Sequence, residues 1–528
     1  MKFFGSICAA ALLTLVTSAH AQFDPSKVLV EPAVISRHFT APATPFSTPA
    51  FAAGRENFTS FAEAVGFLNS IAQRHNNVRI EKVGASQQGR DILMVMMTSP
   101  RGFNASLPTV MFMAQQHGNE PAGGEAALAI AQKLAVERAA ILERINVLIM
   151  PNTNPDATER FRRETINGTD INRDHLLLRT PEAQAIANAL KRYSPHLVLD
   201  LHEFTVAGRW VDKFGAVMHS DALLQAATVG NLNPLVQSVQ ARYLAAARSA
   251  LESKGHRVDD YHTSSASAKD LTISMGGVNV DTGRNVGGLR NAVSLLLETR
   301  GIGIGRANFA RRVESHVVAA TAVIEMAAQE GSALVKMQAD AGRSTADLAC
   351  KGNVSVVVKH TAQRRNLSFL DAKTGEPKVI DVDWRSAHQL SIERERARPC
   401  GYLITADQSL AVQRLQDLGV QVTRLDAKVP NQTWETEAYV IVNEDSGSRQ
   451  DARGAISDSQ SQIRKLNVTT QAVKSTPALG TYYVSLNQPL AGLVIAALEP
   501  DSQNSFVANR LLALEDNKLM RVIKSPTF

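Results

Sequence analysis

The feature that most constrains this chain is the alternation of short apolar runs with long helical segments from Phe58 to about Gln329. The spacing predicts strands over residues 78–83, 92–97, 108–114, 145–150, 196–201 and 292–297. It predicts helices over residues 58–74, 122–137, 181–193, 235–254 and 307–330. Long helices between successive strands leave room for crossovers, so the fold class is α/β: a mixed, mostly parallel central sheet flanked by helices.

The remainder of the 528 residues divides around this unit. Lys2, an apolar stretch from Ile7 to Val16 and Ser18-Ala19-His20-Ala21 read as a secretory signal over residues 1–21, cleaved after Ala21. The apolar stretch is too short to span a bilayer, and no later one is longer. A secreted or periplasmic protein is expected. Residues 22–55 form an extended lead-in, 56–331 the α/β domain, 332–347 a linker, and 348–528 a smaller C-terminal α+β domain of shorter strands. In that last part Tyr402 to Ala411 aligns without gaps to Tyr482 to Ala491, each copy reading as a strand, an Asp or Asn helix cap, then a helix. Export would remove Cys8 and leave Cys350 and Cys400, an even pair to which a disulfide is open. A net charge of +6 without a dense basic run gives no support to nucleic-acid binding. Oligomeric state is not encoded in any of these patterns.

Chemistry concentrates at the predicted strand ends. His117-Gly118-Asn119-Glu120 follows one buried run, and His202 ends Leu197 to Leu201. Two imidazoles and a carboxylate form the donor set of a catalytic zinc, one per chain, with a position left open for water. Such a site needs a base, and Glu298 stands at the end of the run from Val293 to Leu297. Between the ligand blocks lie Asn152 to Asp156, Arg160 to Arg163 and Gly168 to Asp174. This segment supplies arginines for gripping a terminal carboxylate and steadying an oxyanion, and an Asp able to orient an imidazole.

Val83 to Ile92, His117 to Glu120, Asn154-Pro155-Asp156, Asp170 to Arg173, Asp200-Leu201-His202 and Leu297-Glu298, in that order, resemble the zinc metallocarboxypeptidase family. The resemblance covers roughly residues 55–330. It implies zinc bound by His117, Glu120 and His202, and Glu298 as general base. Arg163 would stabilise the oxyanion, with Arg162 as the near alternative, and Asp170 would partner His117. Asn172 and Arg173 would bind the free C-terminal carboxylate of a peptide substrate. The region from Gly480 to Ser502 is similar to the tail of large secreted bacterial members.

Some positions depart from the family pattern. No residue clearly matches its substrate-closing tyrosine: Tyr261 lies far upstream of Glu298, and Val286 stands nearer. Residues 281–288 are expected to line the side-chain pocket instead, where Arg284 would favour an acidic group on the substrate and Asp281 a basic one. Glu203, after His202, reads as structural. The rival functions are an aspartoacylase-like deacylase of N-acyl amino acids, a cell-wall peptide amidase or endopeptidase, and a non-catalytic binding protein.

Overall fold

The computed structural model describes residues 23–426, 432–450 and 462–526. The expected signal segment, residues 1–21, lies outside the described residues. No described helix is long and apolar enough to cross a membrane.

An eight-stranded sheet forms the centre. Its order is Val78–Ala85, Asp91–Met97, Asn146–Met150, Thr109–Ala114, Leu197–Thr205, Val293–Ile302, Ala222–Ala226 and Val258–Asp260. The four middle strands run parallel, and antiparallel pairs enter on both sides. Sequence periodicity identified the six longer strands. It missed Ala222–Ala226 and Val258–Asp260, because a five-residue buried run and a three-residue acidic one carry little pattern.

Alternation along the middle strands explains the layers. Leu197, Leu199, Leu201, Val293, Leu295 and Leu297 point into a core shared with the helices Pro121–Val136, Pro234–Ser253 and Phe309–Glu330. Val198, Met111 and Met113 point to the opposite face, into a second core. The helix Pro181–Tyr193 and a large part of the C-terminal region fill that core, including Tyr402, Leu415, Val484 and Leu493. The later residues thus cover one face of the central sheet.

The expected linker over residues 332–347 is instead a helix, Ser332–Ala346, which buries Leu334, Met337 and Ala341. Its apolar positions recur at helical spacing, but Gln, Asp and Ser between them dilute the signal. The expectation of short strands beyond it also needs correction. Asn353–Asp371 and Pro377–Ala397, of 19 and 21 residues, form a long antiparallel hairpin. Through it a five-stranded sheet is completed with Ala216–Met218, Ile273–Met275 and His262–Ser264 of the α/β unit. A core around Trp210, Phe369 and Trp384 seals this second sheet.

A third sheet of six strands holds both copies of the internal similarity. Gly401–Ile404 and Tyr482–Ser485 are antiparallel neighbours, each followed by a helix, Ser409–Asp417 and Ala491–Leu498. The caps differ from expectation: Gln408 and Leu490 precede these helices, and the side chain of neither accepts a hydrogen bond from the first turn. Cys350 and Cys400 are joined by a disulfide.

Candidate metal centre and active site

The strand Thr109–Ala114 ends where the chain turns toward the helix Pro121–Val136, and that turn carries His117 and Glu120. Gly118 is obligatory there, because a Cβ would run into the backbone of Ala157 and Thr158. The neighbouring strand, Leu197–Thr205, carries His202 on the face opposite Leu201. One strand further, Glu298 is the register partner of His202, so both project to the same side of the sheet. The site therefore sits at the carboxyl edge of three adjacent strands, where parallel sheets place ligands.

His117, Glu120 and His202 are all buried, and their ligand atoms cluster within 4.8 Å. His117 Nδ1 lies 2.7 Å from Glu120 Oε1, His202 Nδ1 lies 2.9 Å from Glu120 Oε2, and the two Nδ1 atoms are 3.2 Å apart. The opposite ring nitrogens are engaged elsewhere: His117 Nε2 meets Asp170 Oδ1 at 3.0 Å, and His202 Nε2 meets Asp200 Oδ1 at 2.9 Å. A carboxylate can only accept, so each Nε2 donates to its aspartate, while the two Nδ1 atoms converge on the Glu120 carboxylate. With a metal ion bound at that point, each Nδ1 would present its lone pair to it. Tetrahedral zinc at about 2.0–2.1 Å from nitrogen would set its ligands about 3.3 Å apart, close to this spacing. Burial alone would lower the pKa of His202, but Asp200 and Glu120 outweigh it and raise the value well above the usual one. The residues present fit zinc.

Around this centre the other expected residues are also gathered. Arg163 donates from Nη2 to Asp170 Oδ2 at 2.8 Å and from Nη1 to Glu120 Oε1 at 3.2 Å, whereas Arg162 is exposed. Asn172 is fixed by Gly283 N–H, which donates to its Oδ1 at 2.9 Å, and Arg173 Nη1 donates to the Asn172 carbonyl at 2.6 Å. Arg163, Arg173, Arg284, Asp281 and Glu298 line one cavity of about 230 Å³ together with His117 and Glu120. Burial pushes the Glu298 carboxyl up to about 7. Glu203 is structural in its contacts: it accepts from Arg312 Nη2 at 2.6 Å and from Ala122 N–H at 3.0 Å. Asp281 and Arg284 flank Thr282, which caps the short helix Gly283–Leu289; Val286 is buried in the second core.

Three features escaped the sequence. Asp200 is the orienting partner of His202, two positions earlier on the same strand face, a relation that period-two alternation predicts once a strand is assumed. Gln116 extends it, donating to Asp200 Oδ1 at 2.7 Å while its Oε1 meets His175 Nε2 at 2.7 Å. Burial pushes the His175 pKa down to about 4, so its ring is neutral. Tyr261, judged too distant in sequence, lines the cavity beside these groups. It arrives between Val258–Asp260 and His262–Ser264, elements that the sequence does not announce.

Residues 65–281 match the family described as zinc carboxypeptidase. That segment belongs to the zinc carboxypeptidases. The chain is 26% identical over 530 residues to Carboxypeptidase 2 of Trichophyton rubrum, spanning 96% of this chain and 94% of that protein. The zinc carboxypeptidase of Saccharothrix mutabilis subsp. capreolus is 30% identical over 157 residues, covering 26% of this chain and 36% of its own length. A solved metallo-carboxypeptidase from Burkholderia cenocepacia aligns at 17% identity with a TM-score of 0.39, over 51% of this chain and 70% of that one. The relatives that align over nearly the whole chain are fungal, so the likeness to bacterial members finds no support among them. Glu298 lies beyond the matched segment of the carboxypeptidase domain and reaches the site through strand register.

Proposed function

We propose that the protein removes C-terminal residues from peptides by hydrolysis at a zinc site made of His117, Glu120 and His202, with Glu298 as general base. The observation that carries this reading is the placement of Glu298 beside His202 on adjacent strands, at the wall of a cavity lined also by His117 and Glu120. When bound, zinc supplies Lewis-acid chemistry, polarising the scissile carbonyl and lowering the pKa of water to about 7.

The chain's own groups perform the remaining work. Glu298 takes the proton of the attacking water at its carboxylate and later delivers it to the departing amine. Asn172 and Arg173 bind the substrate's terminal carboxylate, and their rigid attachment to Gly283 and to each other holds the bond at a fixed distance from Glu298. Arg163 steadies the developing oxyanion with a guanidinium already oriented by Asp170. Asp170 and Asp200 accept from Nε2 of the two imidazoles and so orient each ring with Nδ1 toward Glu120. Tyr261 and Arg284 bound the space that the substrate's last side chain enters. The full-length relatives are carboxypeptidases, which favours this reading over an acyl-amino-acid deacylase or a cell-wall amidase. Export through the N-terminal segment belongs to the same proposal, supported by the leader-like residues before Gln22.

The test is Glu298→Gln. Zinc content should equal that of the parent protein while turnover falls by about 10²–10⁴-fold, the usual contribution of a positioned base. Undiminished turnover would assign the base to another group.

A further inference from the structure

We infer that the side-chain pocket is built for an acidic C-terminal residue, with Arg284 as the cation that receives the substrate's side-chain carboxylate. The inference rests on the carboxypeptidase reading above and names the substrate class of that same cavity.

Arg284 lies on the first turn of Gly283–Leu289, in the wall of the cavity that holds Arg173 and Glu298, and is only 3% exposed. Its Nη2 donates to the Gly277 carbonyl at 2.7 Å, and its Nε lies 3.4 Å from Asn285 Oδ1. Neither acceptor carries charge. Among the described residues no carboxylate lies within ion-pair distance of it. Other buried arginines of this unit are satisfied differently: Arg312 holds Glu203 at 2.6 Å, Arg300 holds Glu31 at 2.7 Å, and Arg311 holds Asp221 at 2.6 Å. Taking a guanidinium out of water without a counter-charge is costly, and burial accordingly pushes the Arg284 pKa down to about 10. An anion arriving with the substrate removes that cost.

Asp281, the carboxylate that would argue for a basic residue, has one of its two oxygens tied to the C-terminal region. Its Oδ2 accepts from Asn504 Nδ2 at 2.9 Å, a residue of the C-terminal region. The charges that act on it, after burial itself, include Arg449 and Arg173, which stabilise its carboxylate, and Asp170, which opposes it. Arg284 lies in the field of Tyr261 and, after it, of Arg173, like charge that adds to the cost of its burial. Gly276 keeps the wall thin at this point: a Cβ there would come within 2.7 Å of Tyr261 Cδ1 and 2.9 Å of Arg284 Nη1. Leu296, also in the lining, offers the stem of the bound residue an apolar surface.

The experiment compares kcat/KM of the zinc-loaded protein for acyl dipeptides that differ only in a C-terminal Glu, Gln, Leu or Lys. Glu should exceed Gln by about 10- to 100-fold, the value of one charge-assisted contact in a buried site. In Arg284→Gln that ratio should collapse toward one, and in Arg284→Lys the preference for Glu should survive. Because each ratio is taken within one variant, loss of folded protein does not mimic the result. Calorimetric binding of N-acetyl-L-glutamate against N-acetyl-L-glutamine, with and without zinc, reads the same contact without turnover, and should favour the glutamate in the parent protein alone. Preference for Leu or Lys over Glu, or an equal loss on all four substrates in Arg284→Gln, overturns the inference and leaves the carboxypeptidase reading standing. Failure to cleave any of the four with zinc bound overturns that reading, and the calorimetric comparison then decides the role of Arg284 by itself.

Discussion

At the metal end of the cavity, His117, Glu120, His202, Asp170 and Arg163 lock one another through contacts of 2.7 to 3.2 Å. At the side-chain end, Arg284 rests on a peptide oxygen and an amide. The first arrangement spends its charges on internal order, so that the two imidazole rings are oriented before any substrate arrives. The second leaves a charge unanswered, so that the substrate completes it. Rigidity at one end and an open valence at the other separate what the reaction needs from what selects the substrate.

The metal end can be broken most severely by His202→Ala. It removes one ligand and leaves Asp200 and Glu120 facing each other across a gap. Zinc should fall below stoichiometric content by elemental analysis, and peptide hydrolysis should drop by at least about 10³-fold, since the metal contributes several kcal/mol to the transition state. A variant that still binds zinc fully would displace His202 from the ligand set.

Arg173→Met probes the boundary between the two ends. Loss of a charge-assisted contact to the terminal carboxylate should reduce kcat/KM by about 10- to 100-fold, mostly through KM, with zinc content unchanged. Steady-state kinetics that show an unchanged KM would place the clamp elsewhere. The smallest expected effect comes from Asp200→Asn, which keeps shape but loses the charge behind His202. Zinc affinity measured by competition with a chelator should weaken by about 10- to 100-fold, while activity at saturating zinc changes less. An unaltered affinity would show that Gln116 and the strand alone orient the ring.

Much of the site was legible because it lies where apolar runs stop. His117, His202 and Glu298 each follow a run that reads as a buried strand, and the carboxyl edge of a parallel sheet is a site by topology. The flanking helices were legible too: Pro181–Tyr193 and Phe309–Glu330 bury apolar residues at helical spacing, and Pro121–Val136 is rich in small apolar residues throughout. What stayed hidden depends on partners distant in the chain. The ribbon Asn353–Asp371 with Pro377–Ala397 has long polar stretches on both faces, so alternation breaks and no strand of such length is suggested. Tyr261 reaches the cavity on elements held in part by that ribbon, since Ile273–Met275 bridges His262–Ser264 to Pro377–Ala397. The helix Gly283–Leu289 is glycine-rich and reads as a loop until Thr282 caps it. Asn504 and Asp281 are brought together from 223 positions apart, a contact that no local pattern contains.

The central claim is that this cavity hydrolyses the last peptide bond of a substrate that presents a free carboxylate to Arg173, with zinc at His117, Glu120 and His202. The measurement that meets it most directly is mass spectrometry of a short peptide incubated as the free acid and as the C-terminal amide, with and without a zinc chelator. The account predicts stepwise loss of single C-terminal residues from the acid, at least about 10-fold slower loss from the amide, and none with chelator. Equal cleavage of acid and amide, cleavage at internal bonds, or hydrolysis that survives removal of zinc would contradict it.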